Sequence, residues 1–552
     1  MLKKYKNISR VILGLSIIAV AFMTSSCEND VVDLEPENKL FDQTAYATPE
    51  RCELAVVGAY DIAQQGKYGE GDDGSFSRGY PFGAASIIQG EMRGEDMNLT
   101  AVFYGITYKS TYTTSSANNM YMWGTSFEAI NRYNTVMKGI NGAVSDGTLT
   151  EAKGKQYIGE LLFLRALTYH NLMIHFALPY NVSGNNNYGL PLYLTAITTK
   201  EEIEAASKIG RSTVEQTYTQ ILKDLDDAEA SFPNTDKNSA NKITRASVSA
   251  VIALKTRVYL HKRDWKGVIT EAKKLISVSD PNASLIGNYK LESSPATPFT
   301  SYSDNFESIF SIENNSTDNG TVNGAMSAMF SARSGGRGIC TSSPILYNSK
   351  YWLKDDKRRD LLMYRSSDKY YFVDKYQNPT TREEYAPIIR YAEVLLNYAE
   401  AALRDNDKAT ALVLLNAVRD RSLADPATQT YKSSDFATTK DFLDAILWER
   451  RIEFHGEGRR WEDIHRLAND DISPSKGIPA KIEYNNAKYY KKADGTEVNP
   501  NGAFQFDSPV SSAWFSGSTA FVPYTDKRFI WPIPLNDIIR NPTLKDQQNA
   551  GW

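Results

Sequence analysis

Histidine and cysteine are scarce in this chain, five and three in 552 residues, and each shortage removes a class of chemistry. His170 and His175 are five residues apart, which places them on different faces of one predicted helix, whereas a zinc helix motif needs four-residue spacing. Asp72 and Asp73 offer oxygen ligands without the spacing of a calcium loop, so no metal site is assigned. Three cysteines exclude a disulfide framework, and Cys52 and Cys340 are expected as two buried free thiols, with one long-range bridge as the alternative. Excess charge of either sign is also missing. With 62 basic and 66 acidic residues the formal net charge is −4, without the basic footprint that nucleic-acid binding needs. The run Gly335-Gly336-Arg337-Gly338 lacks the lysine and hydroxyl of a phosphate loop, so neither a nucleotide nor any other cofactor is expected. Tyrosine, by contrast, is abundant at 33, a composition suited to contact surfaces.

The first apolar run is short. Lys3, Lys4, Lys6 and Arg10 precede Val11–Met23, and Thr24-Ser25-Ser26-Cys27 follows, the order of a cleavable export signal ending at a cysteine. A helix of that length rises only about 20 Å, less than the roughly 30 Å of a hydrocarbon core, so a retained span is the poorer reading. Residues 1–26 are therefore expected to be a lipoprotein signal peptide and Cys27 the lipidated residue, an anchor that needs several acyl chains to be stable. Residues 27–41, with Glu28, Asp30, Asp33, Glu35 and Glu37, read as an acidic extended tether.

Helical periodicity governs much of the remainder. Tyr157, Leu161, Leu164, Thr168 and Leu172 recur at three- and four-residue steps and predict a helix over 156–176 that ends before Pro179. A second is expected over 245–261, and Asp264-Trp265 opens a third through Ile276. From Pro387 onward Ile388, Tyr391, Leu395, Ala399 and Leu403 make one stripe. Arg404-Asp405-Asn406-Asp407 breaks it, and Ala411, Leu414, Leu415 and Val418 line the next helix, giving an αα-hairpin. Another helix is predicted from Phe442 to Phe454. Residues 66–118, 294–350 and 472–528 read as non-helical; loops of that length inside a compact protein are usually functional or disordered, and their aromatic content argues against disorder. In the charge-dense stretch Glu449–Asp463, Arg450 is placed to meet Glu453, which favours a structural ion-pair knot over a catalytic site.

Five separated motifs carry a resemblance: Trp123 to Asn134 (WGTSFEAINRYN), Gly159 to Tyr169 (GELLFLRALTY), Arg390 to Ala401 (RYAEVLLNYAEA), Trp448 to Asp463 (WERRIEFHGEGRRWED), and Trp531-Pro-Ile-Pro through Asn541-Pro542 to Trp552. In this order, behind a lipoprotein-type signal, they make the chain similar to the SusD/RagB family of Bacteroidetes surface lipoproteins. The resemblance implies a mostly α fold in which tetratricopeptide-like helical hairpins form a scaffold and long irregular insertions face the ligand. It implies a single domain over 42–552, with an N-terminal part of about 42–285 and a C-terminal part of about 286–552. It further implies an oligosaccharide ligand, a SusC-like TonB-dependent transporter as partner, lipid anchoring on the exterior of the outer membrane, and no catalysis. A peptide ligand is the alternative within the family. A glycan hydrolase is the rival outside it, and that chemistry needs two carboxylates flanking the bond.

By analogy with the family, contacts come from loops before the first scaffold helix and after a mid-chain strand at about Ser308–Ile312. Sugar recognition uses flat apolar faces and planar polar groups, which selects Arg78, Tyr80, Asp96, Asn98, Tyr104 and Tyr108 in the first insertion and Asn315, Arg333 and Arg337 in the second. No tryptophan lies between residues 66 and 118, a departure from the family's best-known starch-binding pattern that argues against a broad aromatic cradle.

Overall fold

The computed structural model describes residues 44–64, 79–183, 187–232, 243–485, 489–515 and 519–552. The expected signal peptide, Cys27 and the tether lie outside these residues, as do Asp72, Asp73 and Arg78. Numbering only the elements used below, the helices are α1 (Pro49–Gln64), α2 (Ala84–Arg93), α3 (Ala117–Ser145), α4 (Glu151–Phe176), α5 (Val214–Ser231), α6 (Val248–Lys262), α7 (Trp265–Leu275), α8 (Tyr391–Arg404), α9 (Lys408–Asp420), α10 (Thr439–Glu453) and α11 (Arg459–Arg466). The strands are β1 (Met97–Leu99), β2 (Ser308–Ile312), β3 (Cys340–Ser342), β4 (Ala386–Arg390), β5 (Glu483–Asn485), β6 (Tyr489–Lys491) and β7 (Glu497–Val498). About half of the described residues lie in helices, so the fold is mostly α.

Two short breaks turn the chain back by the same device. At the end of α6, Arg263 adopts a left-handed φ of 60°, and the Asp264 N–H reaches back to the Tyr259 carbonyl. The Asp264 carboxylate then caps α7 by accepting from Gly267 N. Between α8 and α9, Asn406 takes φ 66°, the Asp407 N–H bonds the Ala402 carbonyl, and the Asp407 carboxylate accepts from Thr410 N. A left-handed residue that closes one helix and an aspartate that caps the next produce antiparallel neighbours. Successive helices accordingly pack side by side, α1 on α3, α3 on α4, then α4 on α5, α5 on α6, α6 on α7, α7 on α8 and α8 on α9. Helix α4 is the centre of this stack. From Tyr157 onward it is buried almost all round, and a Cβ at Gly159 would stand 2.9 Å from Ser231 Cβ of α5.

Three expectations change. Pro387 and Ile388 belong to β4, not to a helix: α8 begins at Tyr391, and β4 pairs antiparallel with β2, the mid-chain strand at its expected limits. The ladder is irregular where Pro387, which has no N–H, faces Ser311, whose own N–H goes to the Ile243 carbonyl at 2.8 Å. The first insertion is not wholly irregular either. It contains α2, buried along its whole length, so no exposed polar face marked it as amphipathic. Helix α2 rests on the turn before α11, where a Cβ on Gly90 would lie 2.5 Å from the Gly458 carbonyl oxygen.

The Glu449–Asp463 stretch is an ion-pair knot, with different partners from those expected. Arg450 turns away from Glu453 to Asp463 (3.0 Å) and Asn397 (2.7 Å). Glu453 instead meets Arg390 at 2.8 Å, Arg421 at 2.6 Å and Arg358 at 3.1 Å. Arg390 also binds Glu307 and Glu457, so β4, α10 and the loop before β2 share one buried network. Burial alone raises the Glu453 carboxyl, but Arg421, Arg390 and Arg358 outweigh it and hold that carboxyl far below its usual range. Cys52 and Cys340 are both buried and free.

Candidate functional site

The first insertion is bolted to the third by the residues expected to bind ligand. Asn98 in β1 is buried and donates to Tyr108 Oη (2.8 Å) and to the Ile482 carbonyl (3.1 Å). The Tyr108 hydroxyl donates to the same carbonyl at 2.6 Å. Lys481, one residue earlier, is buried and donates to the carbonyls of Met92 (2.6 Å) and Tyr108 (2.8 Å). Burial pushes its ammonium down to about 7. Asp96 is buried in a paired contact with Arg451, Nε to Oδ2 at 3.0 Å. Tyr80 is buried and its hydroxyl accepts from Gln89 at 3.0 Å. Tyr104 is buried edge-on to Phe103.

These five expected contacts are all buried. Tyr80, Asp96, Asn98 and Tyr104 hold loops to the scaffold, and Tyr108 does so while bordering the groove described below. Tyrosine and asparagine in a glycine-rich stretch serve packing as readily as recognition, because burying an aromatic body and satisfying its polar tip both stabilise a loop.

The second insertion contributes differently. β1 pairs antiparallel with β3, Leu99 opposite Cys340, which sets residues 100–106 beside 337–339. Arg337 is exposed there, its guanidinium over the Phe103 ring at 5.1 Å and donating to Asn323 Oδ1. Arg333 is exposed but committed to Asp374 through two bonds of 2.9 and 2.7 Å. Asn315 lies elsewhere, near Tyr60 of α1, and its side-chain oxygen closes its own turn by accepting from Thr317 and Asp318. Of the eight expected contacts among the described residues, Arg337 alone stands exposed and free of any ion pair beside the junction of insertions.

A groove of about 560 Å³ opens at that junction, lined by Leu99, Val102, Gly105, Ile106, Tyr108 and Lys109 on one side and Glu483, Lys491 and Thr519 on the other. Val102 and Ile106 are 76% and 45% exposed on one side of it. Selecting only aromatic and planar polar residues passed over Val102, Ile106, Lys109, Glu483 and Lys491. The available signal was two apolar residues four apart in a loop with no apolar stripe to join.

Two other concavities fit a ligand less well. A cleft of about 50 Å³ among His170, His175, Arg257 and Glu462 admits a few waters and no sugar ring. A broader hollow of about 810 Å³ beside α3 has its floor already committed, since Arg165 is bound to Asp224 and Asn134.

Two family models match the chain. The SusD family model covers residues 354–552, and one described as starch-binding associating with outer membrane covers 84–260. A SusD-like protein of Formosa agariphila is 24% identical over the full length of both chains. A SusD superfamily protein from Bacteroides fragilis superposes with TM-score 0.70 at 25% identity, covering 90% of this chain and 98% of its own. Surface glycan-binding protein A from Bacteroides uniformis does so with TM-score 0.64 at 20% identity, covering 91% and 100%. The helical stack, the insertions hung on it and these matches at both ends of the chain agree: the chain belongs to the SusD/RagB family.

Proposed function

We propose that this protein is a non-catalytic, surface-exposed lipoprotein that captures oligosaccharide and passes it to a SusC-like TonB-dependent transporter. The observation that carries the reading is the groove between insertions one and three, where exposed side chains of residues 99–111 face Glu483 and Lys491 with no packing duty of their own. The glycan-binding neighbour of the same fold supports it, and so does the outer-membrane association in the description of the matching N-terminal model. Lipidation at Cys27 supplies the attachment, and among the described residues no helix is long and apolar enough to cross a membrane. Residues 42–552 act as one domain in this reading.

Glycoside hydrolysis is the weaker account. Among the described residues only Glu483 supplies a carboxylate to the groove lining, whereas retaining and inverting enzymes generally need a pair. The test is an oligosaccharide array probed with the mature chain, followed by chromatography of the incubated ligands. Binding with every ligand recovered intact is expected. Release of shorter products would contradict the non-catalytic role, and binding of peptides alone would move the protein to the peptide-binding branch.

A further inference from the structure

The charges around the groove do not cancel. Glu483 and Lys491 are cross-strand partners of β5 and β6, so opposite charges stand side by side on that wall. Lys109, exposed on the opposite wall, has no carboxylate in ion-pairing reach among the described residues. Beneath the floor Lys481 uses two N–H bonds on carbonyls. The acid that also faces it, Glu95, is already bound to Arg460 at 2.6 Å and Arg451 at 2.9 Å. On the outer side of the same loop, Arg337 is met by an amide oxygen and an aromatic ring, again without a carboxylate. In a chain of net charge −4, Lys109 and Arg337 thus flank residues 99–111 with no carboxylate partner among the described residues, while the buried Lys481 is held on carbonyls below.

The apolar lining has a complementary feature. Leu99, Val102 and Ile106 are aliphatic, and the aromatic side chain in the lining, Tyr108, lies buried beside the Lys481 ammonium with its hydroxyl committed to Ile482. Among the described residues, the lining thus offers no exposed ring face of the kind on which neutral sugars stack. An ammonium adds little to a neutral hydroxyl, whereas its hydrogen bond to an anionic oxygen is roughly twice as strong as a neutral one.

We propose that this groove takes an acidic sugar unit of an anionic oligosaccharide, Lys109 receiving its carboxylate or sulfate and Glu483 accepting a neighbouring hydroxyl. This deepens the glycan-binding reading and rests on it.

The test is calorimetry on the full mature chain with oligosaccharides from starch, galactan and xylan set against carboxylated and sulfated ones from polygalacturonate, alginate and heparin. The tightest binders should be acidic. Their affinity should fall at least about fivefold in Lys109→Met, rise in Glu483→Gln, and weaken as ionic strength shortens the Debye length from about 10 Å to about 3 Å. Neutral oligosaccharides that bind as tightly, with Lys109→Met unchanged, would overturn the acidic-ligand inference and leave the glycan reading intact. No binding by any member of the panel would overturn both.

Discussion

Tyr104 and Tyr108 show how a residue's type and its duty separate. Both are buried, and Tyr108 spends its hydroxyl on the Ile482 carbonyl. Truncating a buried aromatic to alanine typically costs about 3–5 kcal/mol. Tyr104→Ala and Tyr108→Ala are therefore expected to lower the melting temperature clearly, with any loss of glycan affinity following from a disordered seam. Arg337→Ala, exposed and free of ion pairs, should stay within about 0.5 kcal/mol of the parent stability while weakening the ligand that the insertions hold. Calorimetric melting of the three variants separates the roles, and an unchanged melting temperature for both tyrosine variants would count against the packing assignment.

At the scale of elements, the buried network through Arg390 joins a strand, a helix and a loop that lie far apart in sequence. Arg390→Ala leaves Glu307, Glu453 and Glu457 facing one another with one fewer cation, and breaking a buried pair from one side commonly costs about 3–5 kcal/mol. Denaturant unfolding should show that loss, larger than the roughly 1 kcal/mol expected for removing either hairpin cap, Asp264→Ala or Asp407→Ala. A smaller penalty for Arg390→Ala than for the caps would contradict the network's structural weight. Sequence made the scaffold legible because α4, α7, α8, α9 and α10 are long enough for a three-to-four-residue stripe to recur over several turns. It failed at short buried elements. Helix α2 has only 10 residues, and β4, a buried apolar run of Ala386, Pro387, Ile388 and Ile389, merges with the helix that follows it. The groove was less legible still. Lys109 and Glu483 come together only because Asn98, Tyr108 and Lys481 fasten two insertions some 370 residues apart, and no local pattern encodes that pairing.

At the scale of the molecule, all five histidines are buried. Burial is the first cause that drives their imidazoles down, His455 and His465 to about 3 and His170, His175 and His261 well below the usual value. The unfolded chain takes up protons on these rings below about 6.5 while the folded one does not, so the unfolded state binds more protons and stability falls as pH falls from 6.5 towards 3. Each ring contributes on the order of 1 kcal/mol per pH unit in that window. Glu91 opposes part of it. Burial holds its carboxyl up to about 8, so its contribution is lost as pH rises between 4.5 and 8. The net expectation is a melting temperature that drops steeply between pH 6.5 and 5, readable by scanning calorimetry, and a flat profile across that interval would contradict the buried neutral histidines. Attachment is tested separately. Cys27→Ala should abolish labelling by a fatty-acid probe and release the protein from the outer membrane, while the native form should co-purify with a large outer-membrane barrel in mild detergent. Persistence of the label in the variant would overturn the anchor.

The central claim is that ligand sits on the insertions and the helical hairpins only support them. Hydrogen–deuterium exchange of the mature protein, with and without the tightest-binding oligosaccharide, tests it directly. The account predicts added protection in residues 99–111, around Arg337 and in 481–491, with little change in α5 through α9. Protection confined to those helices, with the insertions exchanging as in the free protein, would contradict it.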